Sequence, residues 1–415
     1  MNSRTEFPSA ALETAVSRSD FDALMVPTYA PSTVVPVRGQ GVWLDDAEGR
    51  RYLDFTSGIG VTSLGHAHPA VLEALHRQAE QVWHIGNGYT NQPVLRLARA
   101  LTSLTFADRV FVANSGAEAN EAALKLARKY GKTRGAQRTR IVSCLQSFHG
   151  RTLFTVSVGG QPKYTEGFEP LPPGISHIAF NDIAAAEAAI GDDVCAVIVE
   201  PVQGEGGVLP ASREYLQALR KLCDERGALL IFDEVQCGMG RTGKLFAHEH
   251  YGVVPDILTT AKALGNGFPV GAMLTRSDIA AAFSVGAHGT TYGGNPLACA
   301  VALSVVSTIA QPAFLERTRQ AADRLWTGLQ RLQAAFPQLF KQVRGSGMMV
   351  GLVLADAYKG RAKEFTRLTE QHQLLTLMAG PDVVRLLPPL VVSDAEIDEA
   401  LARLQICAGE FVAKA

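Results

Sequence analysis

The sequence predicts an α/β protein with one large domain on a mostly parallel sheet and a smaller α+β domain. Three observations lead there. Short apolar, β-branched runs alternate with helical stretches from about residue 107 to 275; the tail combines a long amphipathic helix with strand-like runs; and a hairpin pattern lies near the N-terminus.

In the middle of the chain the runs are Val110–Ala113, Ile141–Cys144, Val194–Val199, Ala228–Phe232 and Ile257–Thr259, and the helical stretches include Glu118–Tyr130 and Arg213–Arg226. Continuous apolar strands of this kind belong to a sheet covered on both faces. Near the N-terminus, Gly41-Val-Trp-Leu-Asp45 and Arg51-Tyr-Leu-Asp-Phe55 flank the turn residues Asp46-Ala-Glu-Gly49, and a helix is expected from Pro69 to about Trp83. In the tail, Phe314–Phe336 places Leu325, Leu329 and Leu332 on one helical face. Met348–Leu354, Leu374–Met378 and Val383–Leu387 read as strands, and Ser393-Asp-Ala-Glu396 as a capping box opening the last helix. The expected division is an N-terminal segment 1–60 that joins the small domain, a large domain 61–310 and a small domain 311–415.

The chain has 415 residues, 47% of them hydrophobic, and a formal net charge of -1, enough apolar material for two or three domains. No basic stripe argues for nucleic acid, and no run approaches the ~20 apolar residues of a membrane helix. The first twenty residues lack the apolar core of a signal peptide. The six cysteines are scattered with no CxxC pair, the pattern of reduced thiols in a cytoplasmic protein.

The chemistry starts from Asp233. It follows the apolar run ending at Phe232, so it sits at the carboxyl end of a buried strand, where open α/β sheets bind ligands. Alone, such a residue reads as an ion-paired or capping structural acid. Lys262 follows 29 residues later (262 − 233), again just past a strand, which is about one strand–crossover–strand step, so the two can face one cleft. A partly desolvated lysine can attack a carbonyl, and a cleft aspartate can keep a pyridine nitrogen protonated. Together they match the pair that pyridoxal-phosphate (PLP) chemistry needs. A phosphate site would fall at Asn114-Ser-Gly-Ala-Glu118, where the N–H groups of Gly116 and Ala117 open a helix after a strand. An ordinary N-cap turn explains that segment equally well.

Two other patterns carry less. Gly238-Met-Gly-Arg-Thr-Gly243 is a literal GxGxxG, but no good helix opens directly after it, as a dinucleotide fingerprint requires. His66-Ala-His68 has no companion ligands at zinc spacing, so no metal is expected.

Six segments occur in order: Asn114-Ser-Gly-Ala-Glu-Ala-Asn-Glu121, Ser147-Phe-His-Gly-Arg-Thr152, Glu200-Pro-Val-Gln-Gly-Glu-Gly-Gly207, Phe232-Asp-Glu-Val-Gln236, Thr260-Ala-Lys-Ala-Leu264 and His288-Gly-Thr-Thr-Tyr-Gly-Gly-Asn-Pro296. This set resembles the class III (ω-amino acid) aminotransferases of PLP fold type I, from about Phe21 to the C-terminus. Val26-Pro-Thr-Tyr-Ala-Pro31 and Gly86-Asn-Gly-Tyr-Thr-Asn91 resemble the acetylornithine and succinylornithine members in particular.

The resemblance implies the following roles. Lys262 carries the cofactor and moves the proton; Asp233 pairs with the pyridine nitrogen; Phe148 and Val235 pack on its two faces; Gln236 bonds the phenolic oxygen. Gly116 and Ala117 hold the phosphate, with Thr291 reaching it from a neighbouring subunit, so a homodimer with interfacial sites is implied. Arg151 resembles the clamp for the carboxylate distal to the reacting amine, Arg385 the one for the α-carboxylate of glutamate, and Glu205 the gate that pairs with Arg385; Thr290 touches substrate. The implied reaction moves the δ-amine of acetyl- or succinylornithine to 2-oxoglutarate, in arginine synthesis or breakdown. Ornithine, 4-aminobutyrate and succinyl-diaminopimelate are the alternative substrates. A PLP-binding protein without turnover is the alternative from another class. Asn266, Thr56-Ser-Gly-Ile-Gly60 and Leu386-Leu-Pro-Pro389 depart from the usual family pattern and bear on the choice of substrate.

Overall fold

The computed structural model describes residues 16–414. At its centre is a seven-stranded sheet whose spatial order is Arg109–Ala113, Gly271–Thr275, Ile257–Thr260, Leu229–Asp233, Val194–Val199, Arg140–Cys144 and Ile175–Ile178. Leu229–Asp233 runs parallel to Ile257–Thr260 and Val194–Val199, and Arg140–Cys144 runs parallel to both of its neighbours. Gly271–Thr275 alone is antiparallel to the strands beside it.

Both faces of this sheet are covered, as uninterrupted apolar strands require. Successive residues alternate between two cores: Val142, Val197, Leu230 and Phe232 pack on one face, and Ile141, Ala196, Ile198, Leu229 and Ile231 on the other. The helix Gly116–Arg134 covers the second face with Ala122, Ala123, Leu126 and Ala127. Helix Arg213–Arg226 covers the first with Tyr215, Leu216 and Leu219 and ends at Gly227, whose left-handed φ of 67° suits a glycine C-cap.

A further core joins the chain's two ends. Val42, Leu53 and Phe55 from the hairpin pack with Leu325, Leu329, Leu332, Val350, Leu352 and Leu404. The hairpin strands Trp43–Asp46 and Arg51–Asp54 form with Pro36–Gln40 an antiparallel sheet, to which Leu374–Leu375 adds in parallel. A second four-stranded sheet holds Phe340–Ser346, Met349–Leu354, Val383–Leu386 and Leu377–Met378. The capping box forms as expected: Ser393 accepts from the Glu396 N–H while Glu396 takes the Ser393 N–H at 2.8 Å.

Several expectations need correction. The helix from Pro69 stops at Ala79 rather than near Trp83, because the Trp83 indole donates to the Ala79 carbonyl at 2.6 Å and so takes up an acceptor that another helical turn would use. Leu374–Met378 is not one strand. It breaks at Thr376 and its halves pair in different sheets, the first with Arg51–Asp54 and the second with Val383–Leu386. The helix expected from Glu118 starts at Gly116, after the N-cap Ser115. Ile175–Ile178, Gly271–Thr275 and Phe340–Ser346 were not anticipated: the first two are short pieces whose pairing is supplied by neighbours, and the third carries Lys341, Gln342 and Arg344.

Candidate active site

The carboxyl ends of the parallel strands converge on one cavity of about 240 Å³. Gly116 and Ala117 open the helix after Arg109–Ala113; Phe148, His149, Gly150 and Arg151 follow Arg140–Cys144; Glu200 follows Val194–Val199; Asp233 ends its strand and Val235 and Gln236 succeed it; Lys262 lies just past Ile257–Thr260. In the parallel register Asp233 stands opposite Thr259, so the 29-residue step joins adjacent strands.

Asp233 is 3% exposed and heavily bonded. Its Oδ2 accepts from Asn120 Nδ2 at 2.8 Å and lies 2.7 Å from His149 Nδ1, while Oδ1 accepts the Val235 N–H at 3.0 Å. Asn120 is fixed in turn: Thr259 donates to its Oδ1 at 2.7 Å, and its amide also donates to the His149 carbonyl at 2.8 Å. A buried carboxylate is tolerated only with such partners.

Lys262 has a φ of 42°, a left-handed backbone that is unusual for a lysine. Burial pushes its ammonium below the ordinary lysine range, and Arg385 acts in the same direction, against Glu205 and Asp233. Its amine is therefore easier to deprotonate than that of a surface lysine.

Beside it stands an ion pair. Arg385 is 2% exposed, and its Nη1 donates to Glu205 Oε1 at 2.6 Å and to Gln236 Oε1 at 3.1 Å. Burial opposes ionisation of Glu205, but the Arg385 guanidinium, together with Lys262 and Gln236, outweighs it and holds the carboxyl below its ordinary range. Arg385 Nε has no partner among the described residues, so the buried fork retains an unused donor. Arg151 is the opposite case: exposed, with its guanidinium 3.8 Å from the Tyr164 ring centroid and 5.4 Å from that of Phe148.

Four expected residues do not line this cavity: the Glu205–Arg385 pair stands beside it, and the two threonines lie elsewhere. Thr290 and Thr291 lie on the loop after the central sheet, where Asn114 Nδ2 donates to Thr290 Oγ1 at 2.9 Å and Asn87 Nδ2 to its carbonyl at 2.6 Å. Thr291 is exposed. Within one chain, then, Thr290 is tied to the segment that opens the helix Gly116–Arg134, and Thr291 turns to the surface.

The structure adds residues to which sequence reading gave no role: Asn120, His149, Glu200 and Thr259. Glu200 is buried, accepting from the Phe148 and Gly204 N–H groups at 3.1 and 3.4 Å. Burial is the main cause that lifts its carboxyl to about 7, with Asp233 adding and His149 opposing. The position of Glu200 after an apolar strand was the signal that could have marked it.

The segments that departed from the family pattern touch one another or the same loop. Ser57 Oγ donates to the Leu387 carbonyl at 2.5 Å, and Asn266, at φ 47°, accepts from the Leu64 N–H at 2.7 Å and donates to the Gly65 carbonyl at 3.1 Å. The GxGxxG stretch is a run of turns holding Arg241, which donates to the carbonyls of Met348 and Pro388 at 3.2 and 2.5 Å and to Ser63 at 2.9 Å. His66 Nε2 lies 2.8 Å from Asp54 Oδ2, a local bond between the hairpin and the next loop.

The cavity fits a phosphorylated pyridine. A Cβ on Gly116 would lie 2.8 Å from Val235 Cγ1, so the bare glycine lets the helix N-terminus close against the wall below Asp233. That N-terminus suits an anion, the anchored carboxylate suits a ring N–H, and the depressed lysine suits covalent attachment.

The class III aminotransferase family model matches residues 25–407. A succinylornithine transaminase/acetylornithine aminotransferase of Pseudomonas aeruginosa is 55% identical, with 96% of this chain and 98% of that protein covered. A succinylornithine transaminase of Yersinia enterocolitica is 56% identical over 94% of this chain and 97% of its own. Among solved structures, N-acetylornithine aminotransferase from Stenotrophomonas maltophilia matches with a TM-score of 0.83 and 41% identity, covering 93% of this chain and 98% of that one. Ornithine aminotransferase from Toxoplasma gondii matches with a TM-score of 0.93 and 31% identity over 98% of both. The chain belongs to the class III aminotransferases and is a PLP-dependent enzyme of that family.

Proposed function

We propose that the enzyme transfers the δ-amine of an N2-acylated ornithine, acetyl- or succinylornithine, to 2-oxoglutarate, releasing the acylglutamate semialdehyde and glutamate in arginine metabolism. The observation that carries this reading is the contrast between two arginines: Arg151, exposed and free of any carboxylate among the described residues, and Arg385, buried and closed by Glu205. The names of the relatives from Pseudomonas and Yersinia point the same way.

Gly116 and Ala117 would hold the cofactor phosphate, Phe148 and Val235 its ring faces, Gln236 its phenolic oxygen and Asp233 its ring nitrogen. When bound, PLP supplies an electron sink for the carbon that loses a proton. His149 and Asn120 hold the Asp233 carboxylate in one orientation. Lys262 would attach the cofactor; once the substrate's amine has displaced it, its Nζ would take the proton from the substrate's δ-carbon, and burial helps by favouring the uncharged amine that can accept it.

An acylornithine brings a carboxylate far from the reacting amine, and Arg151 clamps it; with no carboxylate beside the amine, Glu205 keeps Arg385 closed. Glutamate and 2-oxoglutarate bring an α-carboxylate, for which Arg385 is the receiver once Glu205 yields. Thr290 touches substrate from the loop it shares with Thr291.

Thr291 reaches the phosphate across a homodimer interface, which accounts for its exposure in the single chain. The large and small domains meet near residues 61 and 310, since the hairpin core is shared with the C-terminal strands. A cytoplasmic setting suits six cysteines that are all buried and unpaired. Among the described residues no single helix is long and apolar enough to cross a membrane.

The test is a set of half-reactions on the purified holoenzyme with N-acetylornithine, N-succinylornithine, ornithine and 4-aminobutyrate, followed by absorbance. Fastest bleaching of the cofactor band by an acylornithine, with recovery on 2-oxoglutarate, is expected. A band that no acylornithine bleaches overturns the substrate assignment.

A further inference from the structure

Glu205 lines a second cavity, beside the one that holds Gln236 and Lys262. On one side its carboxylate closes on Arg385. On the other this second cavity, of about 600 Å³, is lined by Glu205, Gly206, Gly207, Gln146, Lys163 and Arg344 among others. Arg344 lies on the strand Phe340–Ser346 and belongs to none of the motifs that define the site. Its Nε donates to the Gly207 carbonyl at 2.8 Å, and a Cβ on Gly207 would fall 2.6 Å from its Nη2. The guanidinium therefore lies against the gate loop, two residues from Glu205.

Arg344 is half-buried, burial pushes its guanidinium below the ordinary arginine range, and no carboxylate among the described residues pairs with it. The other charges facing this cavity are engaged or exposed. Lys341 is 2.8 Å from Asp356, Asp382 accepts the Gly360 N–H at 2.6 Å, and Lys163 is exposed over the Tyr164 ring.

A substrate α-carboxylate that takes Arg385 compensates that buried cation but strands the carboxylate it displaces. A partly buried carboxylate left without a partner is costly, so the exchange proceeds readily only where a second cation lies within reach. The glycines at 204, 206 and 207 flank Glu205, and Gly207 has a φ of 115°, a backbone open to glycine, so the loop carries no side chain that would obstruct the swing.

We propose that Arg344 is the receiving cation for Glu205: the gate opens by handing its carboxylate from Arg385 to Arg344 across the second cavity. This makes Arg344 a positioning residue for the α-carboxylate half-reaction, and it rests on the reading of Glu205 and Arg385 given above.

The experiment measures kcat/KM of both half-reactions, 2-oxoglutarate and an ω-amine donor, in the holoenzyme and in Arg344→Gln, Arg344→Lys, Glu205→Gln and the Arg344→Gln/Glu205→Gln double variant. Arg344→Gln should lower the ratio of 2-oxoglutarate to donor kcat/KM about tenfold, mainly through KM, as loss of one charge-assisted contact predicts. Arg344→Lys should restore most of it, and in the Glu205→Gln background, where no carboxylate needs receiving, the effect of Arg344→Gln should vanish. A drop that is equal in both half-reactions, or that persists in the Glu205→Gln background, overturns the inference. If Glu205→Gln shifts the ratio while Arg344→Gln does not, only the receiving cation fails. If Glu205→Gln itself leaves the ratio unmoved, the gate reading fails and the inference with it.

Discussion

His149 Nδ1 and Asp233 Oδ2 lie 2.7 Å apart, and both side chains are almost fully buried, at 2% and 3% exposure. The contact joins the loop after Arg140–Cys144 to the end of Leu229–Asp233 and fixes which way the carboxylate faces. Because Asn120 reaches the same oxygen at 2.8 Å and the Val235 N–H reaches the other, Asp233 keeps two bonds when His149 is removed. His149→Ala should therefore cost about tenfold or somewhat more in kcat/KM, the worth of one hydrogen bond to a charged group. Asp233→Ala should cost several orders of magnitude and weaken cofactor retention. Steady-state kinetics and the absorbance of bound PLP check both; equal losses in the two variants would contradict the ranking.

Lys262→Ala should abolish turnover, because among the described residues no other amine is placed at the end of Ile257–Thr260. Borohydride reduction followed by intact mass should find cofactor attached to the wild-type protein and none on the variant. Substantial transamination by the variant would refute the assigned base.

Arg151 lies over the Tyr164 ring, 3.8 Å from its centroid, and among the described residues it pairs with no carboxylate. Arg151→Ala should reduce kcat/KM for an acylornithine about a hundredfold, consistent with roughly 2–3 kcal/mol for a charged hydrogen-bonded contact. A simple terminal amine lacking the distal carboxylate should be affected far less. Parallel losses on the two substrates would remove the clamp from the account.

Glu200 makes stability depend on pH. Its carboxyl is raised from an ordinary 4.5 to about 7, chiefly by burial, so the fold favours the protonated form. The sign follows from linkage: the contribution is fully present below about 4.5 and is lost as the pH rises through about 7. Glu200→Gln has the same shape and no charge, so it should narrow the difference in Tm between acidic and neutral solution. Thermal unfolding from pH 5 to 8 decides it, and an unchanged slope would show that Glu200 stays ionised.

Much of the site was legible because local pattern and site coincide in this fold. Asp233 and Lys262 each follow an apolar strand, and the spacing between them is one crossover, so strand ends marked them before any contact was known. The helix opening at Gly116 was readable from its strand–turn–helix setting. Residues acting through others were not. Asn120 sits inside a helix, Thr259 inside a strand, and Arg344 on an edge of the tail, and nothing in their neighbours in sequence reveals what they meet. The same limit explains the strands that were missed, since Gly271–Thr275 gains its character from being sandwiched antiparallel between two others.

By itself the sequence determined the α/β class, the apolar parallel strands of the central sheet, and the strand-end positions of Asp233 and Lys262, because periodicity and strand-end position are properties of short segments. Only the tertiary structure decided that Arg385 is closed by Glu205 across 180 residues, that Asp233 is held by His149 and Asn120, and that Thr291 turns outward from the cavity. Those are contacts between distant parts of the chain, set by how the sheet stacks its loops at one edge, and burial then fixes the charge states that the contacts require.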